Sequence, residues 1–224
     1  FVLQYECVYS INIEYTHSYC RTKIPLFSQD AKNNTFIMLN NSLVLSVDPG
    51  SDISGVCLIR AGKIEYGEDV PNSALFSHIQ AAGHAVVVVE DVKPYSLSLS
   101  QQIIDTCKFI GALQWRLEDA SIPHELISRY AVKRWCFDKF QEVVIPLIEK
   151  KIQYRKLINK DGAHRKPSFA FVDDRMVAAC MRAHWGLVKP KPGKKHPLGL
   201  KTHSWQALGL ATYFISSEST LTPL

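Results

Sequence analysis

Residues Ala85-Val86-Val87-Val88-Val89 constrain this chain more than any other stretch. Their apolar character is continuous rather than alternating, which marks a strand covered on both faces. Four valines in a row also favour extended backbone, because branching at Cβ stiffens χ1 and suits a pleated surface. Such a strand belongs inside a sheet with helices on either side. It ends in Glu90-Asp91, which places a carboxylate at the mouth of the most apolar element.

The flanking segments supply the rest of an α/β domain. Leu43 to Val47 is a short apolar strand that Asp48-Pro49-Gly50-Ser51 breaks with turn chemistry. Gly55 to Ile59 reads as a second strand, and Ala61-Gly62 turns it into a third around Lys63 to Tyr66, giving an antiparallel meander. Pro71-Asn72-Ser73 opens a helix to about Ala82. Ser98 with Gln101 resembles a capping box for a helix near 99–119, with Ile103, Cys107, Ile110, Gln114 and Leu117 on one stripe. Pro123 to Ile127 is a fifth strand, followed by helices from about Ala131 and near 141–154. A basic loop covers 156–168, a helix runs from Asp173 to about His184, Val188 to Pro197 is a Pro/Lys tether, and Thr202 to Ile215 closes the pattern. The expected architecture is helices flanking a mixed five-stranded sheet. Residues 1–37 are poorly patterned and are expected to be an appended or mistranslated leader before a natural start at Met38, with an extra N-terminal strand or two as the alternative, ahead of a domain at 38–216 and a tail at 217–224.

Two carboxylates stand where chemistry is expected. Asp48 closes the first strand and Glu90 the fourth. A carboxylate at a buried strand end is costly unless it meets a cation or donors. Two of them on neighbouring strands repel each other unless a divalent metal lies between, and hard oxygen ligands favour Mg2+ or Mn2+. The plain alternatives are a turn-initiating Asp before Pro-Gly and a strand-end surface Glu. Gly50 and Gly55 are expected to keep the backbone beside Asp48 low, so that a phosphate chain can approach. Six cysteines without a C-x-x-C pair argue against a zinc module and fit reduced thiols in the cytoplasm.

Charge is unevenly spread. Between Arg129 and Lys201 there are 18 Lys/Arg against 6 Asp/Glu, while the remainder holds 8 against 15. A basic half joined to an acidic one points to a polyanionic partner, with a solvated Lys-rich face as the plain alternative. No run approaches the roughly 20 apolar residues of a membrane-spanning helix, so no membrane partner is expected.

These residues resemble a known family. Val44-Leu-Ser-Val-Asp-Pro-Gly-Ser-Asp-Ile-Ser-Gly55 looks like the first motif of RuvC-type Holliday-junction resolvases in the ribonuclease H-like superfamily, and Val86-Val-Val-Val-Glu90 looks like the second. A helix containing Gly111 follows, as in the family. Ser128-Arg-Tyr-Ala-Val-Lys-Arg-Trp135 is similar to the segment after the fifth strand, and Lys201-Thr-His-Ser-Trp-Gln-Ala-Leu-Gly-Leu-Ala211 to the last motif. The resemblance implies a ribonuclease H-like mixed five-stranded sheet flanked by helices. It also implies an endonuclease that cuts branched DNA as a homodimer and leaves 5′-phosphate ends.

Within that likeness Asp48 would bridge two Mg2+ or Mn2+ ions about 3.5–4 Å apart, Glu90 would hold one, and His203 or Asp174 would complete the shell. The chain departs from the family at Gln206, where an Asp is usual, and has His203 where an acid or His stands. Expected DNA contacts are Lys93, Tyr95, Arg129, Lys133, Arg134 and Arg175. A catalytically silent binding module of the same fold is the alternative, motivated by Gln206. An actin-like sugar-kinase fold also opens on an Asp-Gly hairpin, but it needs a second such domain with another phosphate loop.

Overall fold

A computed structural model describes residues 43–92, 100–159, 167–189, 191 and 193–220. The leader at 1–37 lies outside them. The elements in order are β1 (Leu43–Asp48), β2 (Ile53–Arg60), β3 (Lys63–Pro71), α1 (Asn72–Ala81), β4 (Val86–Asp91), α2 (Gln101–Asp119), β5 (His124–Ser128), α3 (Arg129–Lys139), α4 (Gln141–Asn159), a 3-10 turn (Phe169–Phe171), α5 (Asp174–Trp185) and α6 (Thr202–Thr220). The expected boundary at 216/217 falls within α6.

The strands form one sheet in the order β3-β2-β1-β4-β5. β1, β2 and β3 are an antiparallel meander, whereas β1–β4 and β4–β5 are parallel. This is the mixed, helix-flanked, ribonuclease H-like sheet that the motifs imply. The β2–β3 hairpin turns through Ala61 and Gly62, both with positive φ (47° and 70°), a combination that follows the right-handed twist of the strands.

The period of two along each strand divides the core. Leu45, Val47, Val56, Leu58, Val87 and Val89 meet Leu75 and Ile79 of α1 and Leu113 and Leu117 of α2. On the opposite face Val44, Cys57, Ile59 and Val88 meet the layer formed by α3, α4, α5 and α6. β4 is therefore covered on both sides, as its unbroken valines require. A buried hydroxyl also ties sheet to helix: Ser46 donates to the carbonyl of Ala207 in α6, at 2.6 Å.

Local starts differ in places from the sequence reading. α2 is capped by Ser100, whose hydroxyl accepts from the Ile103 N–H at 3.4 Å, while Ser98 lies outside the described residues. The buried stripe of α2 is Thr106, Ile110, Leu113 and Leu117, and Cys107 instead reaches the carbonyl of Val92. α5 takes Asp173 as its cap, with the carboxylate accepting from Met176 N–H at 3.2 Å. Cys57, Cys136 and Cys180 are buried free thiols, and burial holds Cys57 up at about 12, far from reactive. Among the described residues no helix is long and apolar enough to cross a membrane.

Candidate active site

The pleat that divides the core also builds the site. On β1, Val44, Ser46 and Asp48 share one face; on β4, Val88 and Glu90 share it too. Val47 pairs with Val89 in the parallel register, so Asp48 and Glu90 each follow one residue later, side by side toward α6. Both are buried, at 3% and 4% exposure, so neither is a surface turn residue. Burial and the neighbouring Asp48 carboxylate push Glu90 well above the ordinary carboxylate range, although Arg129 opposes this. A hydrogen bond to Asp48 favours the protonated form of Glu90 in the same direction.

α6 delivers His203 to this pair. Its Nδ1 lies 2.9 Å from Asp48 Oδ2, and the hydrogen bond raises the imidazole above its usual value. With the carboxylate accepting, the proton sits on Nδ1 and a neutral ring offers Nε2 outward. The helix start is fixed by several contacts. Asp69 of β3 accepts from Ser204 N–H at 2.9 Å, and the Ser204 hydroxyl accepts from Lys201 N–H at 2.7 Å. An added Cβ at Gly55 would lie 2.1 Å from the carbonyl carbon of His203. Gly55 therefore admits the first turn of α6, not a phosphate chain, which corrects the sequence reading of that glycine.

The other wall comes from α3 and α5. Ile127 pairs with Glu90 on β5, and the chain turns into α3 two residues later. Arg129 then forks, with Nη1 3.3 Å from Glu90 Oε2 and Nη2 bonded to Asp174 Oδ1. Burial would lower this guanidinium, but Glu90 and Asp174 outweigh it and hold it firmly charged. The sequence places Arg129 among the DNA contacts; in the structure it is tied to two candidate ligands, and only part of it faces solvent. Lys133, one turn along α3, is half-buried, and its ammonium is lowered by burial and by Arg129. Gln206, three residues after His203 on α6, donates from its amide to the backbone carbonyl of Asp174 at 2.9 Å. Asp173 does not enter the cluster, being held by Lys151 at 2.6 Å.

Asp48, Glu90, His203 and Asp174 are thus brought to one end of the sheet together with Arg129 and Lys133. Arg134 is not among them: it is exposed, beside Asp138 at 3.8 Å and over the Phe169 ring at 5.9 Å. Arg175 is exposed in the first turn of α5. Lys93 and Tyr95 lie outside the described residues. Sequence reasoning missed Asp69, and it missed Tyr130, an exposed ring packed edge-on against Phe169 next to Arg129. Tyr130 stands inside the segment singled out after the fifth strand, which was its available signal.

The oxygen donors are hard, two buried carboxylates and one further carboxylate at the rim, with the borderline imidazole nitrogen of His203 beside them. That chemistry fits a divalent ion between Asp48 and Glu90, where a shared proton otherwise relieves the repulsion. Among the described residues no three His, Cys, Asp or Glu side chains converge as a ready-made metal cage.

No family model matches the chain, and no curated protein matches it. Among solved structures it is similar to Thermus thermophilus RuvC in complex with a Holliday junction substrate, with a TM-score of 0.48 and 17% identity over 82% of this chain and 100% of that one. It is also similar to Thermus thermophilus RuvC, with a TM-score of 0.43 and 18% identity over 81% of this chain and 99% of that one.

Proposed function

We propose that this protein is a metal-dependent, structure-selective endonuclease that hydrolyses phosphodiester bonds in branched DNA, with four-way junctions as its substrate. The observation that carries the reading is the pair of buried carboxylates, Asp48 and Glu90, side by side on parallel strands with His203 hydrogen-bonded to one of them. Two carboxylates side by side in an apolar sheet carry a desolvation and repulsion cost that Arg129, His203 and a shared proton offset in part and that a bound divalent cation would relieve further.

Mg2+ or Mn2+ at Asp48 and Glu90 would supply Lewis-acid activation of water and stabilisation of the leaving oxygen. His203 orients Asp48 through its Nδ1–H and presents Nε2 toward the open side. Arg129 fixes the rotamer of Glu90 and offers its remaining N–H donors to a phosphate oxygen. Lys133 adds positive potential one turn further along α3. Arg134, Arg175 and the exposed Tyr130, on α3 and α5, would supply the charges and the ring that receive a backbone and an unstacked base. Lys93 and Tyr95 remain part of the proposed DNA surface from their place after Glu90. Two symmetric cuts need two sites, so a homodimer belongs to the reading.

One observation favours a second reading, a silent junction-binding module: Gln206 is neutral and its amide is committed to the Asp174 backbone. The test is a labelled four-way junction and a matched linear duplex, each with Mg2+, Mn2+ or EDTA. Paired nicks confined to the junction and lost in EDTA support the nuclease. Junction binding without cutting under every metal selects the module. Neither binding nor cutting overturns both.

A further inference from the structure

We propose that this site takes a single divalent ion and that the guanidinium of Arg129 stands in place of a second one. The inference rests on the nuclease reading of the same site and changes its ion count.

Charge and placement carry it. Asp48, Glu90 and Asp174 bring three carboxylates to the sheet end, and Arg129 is bonded to two of them. With all three carboxylates ionised, as ligation of a cation in place of the shared proton requires, the guanidinium leaves two negative charges, which one divalent ion cancels. A second ion would leave excess positive charge in a partly buried pocket, where uncompensated charge is costly. Lys133, half-buried one turn from Arg129, adds to that excess. Two neighbouring acids are already used: Asp173 pairs with Lys151 at 2.6 Å, and Asp69 accepts from Ser204 N–H at 2.9 Å.

Ligand positions agree with the charge count. Gln206 follows His203 by three residues on the same stripe of α6, so it faces the α3–α5 wall. There it has no charge, and its amide bonds the carbonyl of Asp174 at 2.9 Å. The two features are complementary: a neutral amide removes one ligand for a second ion, and an arginine supplies the missing cation. A guanidinium has five donors in a planar fork, so those not held by Glu90 and Asp174 are free to meet a non-bridging phosphate oxygen beside the ion.

The experiment counts bound Mn2+ on the full chain without DNA, following the free aquo-ion by electron paramagnetic resonance. The expected result is one Mn2+ per chain in the wild type and in Arg129→Lys. The double variant Arg129→Gln/Gln206→Asp should bind two. Two ions in the wild type, or one in a folded double variant, overturns the inference. Thermal melting checks the fold, and if the double variant melts early, Gln206→Asp alone decides: it retains Arg129 and should stay at one ion, and a second overturns the inference. Two ions in a wild type that cuts junctions removes only the ion count. A wild type that binds no Mn2+ and cuts nothing removes the nuclease reading with it.

Discussion

The two faces of the sheet are built from the same strands and do opposite things. Toward α1 and α2, Leu45, Val47, Val56, Leu58, Val87 and Val89 form a wholly apolar layer. Toward α6, alternate residues of those strands include Ser46, Asp48, Gly55 and Glu90. A period of two thus lets one strand stabilise the fold with one set of alternate positions and carry charge with the other. The polar face persists because each buried group on it has a named partner: Ser46 on Ala207, Asp48 on His203, Glu90 on Arg129.

Nearby residues of β1 give the sharpest test of that division. Asp48→Asn should lower junction cleavage by roughly 10³-fold or more, the scale of losing a group that stabilises transition-state charge, while junction binding and melting change little. Leu45→Ala should do the reverse, costing about 2–5 kcal/mol of stability with cleavage per folded molecule unchanged. Denaturant melts and single-turnover cleavage on both variants measure the two axes. If both substitutions move both axes alike, the faces are not functionally separate.

Gly55→Ala should be the next largest effect, about 3 kcal/mol or more, because its new Cβ would meet the backbone of His203 at 2.1 Å. The same strand tolerates larger side chains on its other face, at Val56 and Leu58. Urea unfolding should give the loss, and the His203 ring resonances should shift as the first turn of α6 is displaced. An unaltered midpoint would mean that α6 does not seat against β2 in this way.

Much of this division is legible in the sequence, and the reasons are local. Unbroken valines at 86–89 announce a strand covered on both faces, and the strand-terminal positions of Asp48 and Glu90 follow from turn chemistry. Both carboxylates therefore stand out from residue order alone. Arg129 stands out too, but as a DNA contact. Its partners Glu90 and Asp174 are 39 and 45 residues away, and no local pattern reports an ion pair across that distance. Gly55 misleads for the same reason, since its constraint comes from His203 in a helix far along the chain. Ser100, two residues from Ser98, takes the place of the expected cap because either serine satisfies a helix start and only the packing of α2 decides between them.

The polar face should also cost stability in the absence of metal. Glu90 binds its proton more tightly when folded than when unfolded, where 4.5 is ordinary. Folded chains then hold more protons than unfolded ones, so stability falls as pH rises from the ordinary carboxylate range through the raised value. Glu90→Gln, which keeps a donor toward Asp48, should remove that slope and raise the melting temperature at neutral pH in EDTA by roughly 2–4 °C, the equivalent of about 1 kcal/mol. Added Mg2+ should stabilise the wild type more than the variant. A variant that melts lower in EDTA would show that the Arg129 pairing outweighs the burial of Glu90.

The smallest effect concerns His203, which is partly exposed and bonded to the most buried member of the pair. Its hydrogen bond to Asp48 raises the imidazole, so the contact is strongest when the ring is protonated. The sign is opposite in origin to an ordinary paired carboxylate. The His203 contribution is fully present below about 6.5, the unfolded value, and is lost as pH rises through the folded one. Asp48→Asn removes the negative charge and leaves a weaker acceptor, so the His203 titration followed by NMR should move down toward the ordinary histidine value. His196, which burial lowers, should not move and serves as the internal reference. A His203 titration that ignores Asp48→Asn would break the link between α6 and β1, and with it the claim that one helix turn completes the polar face.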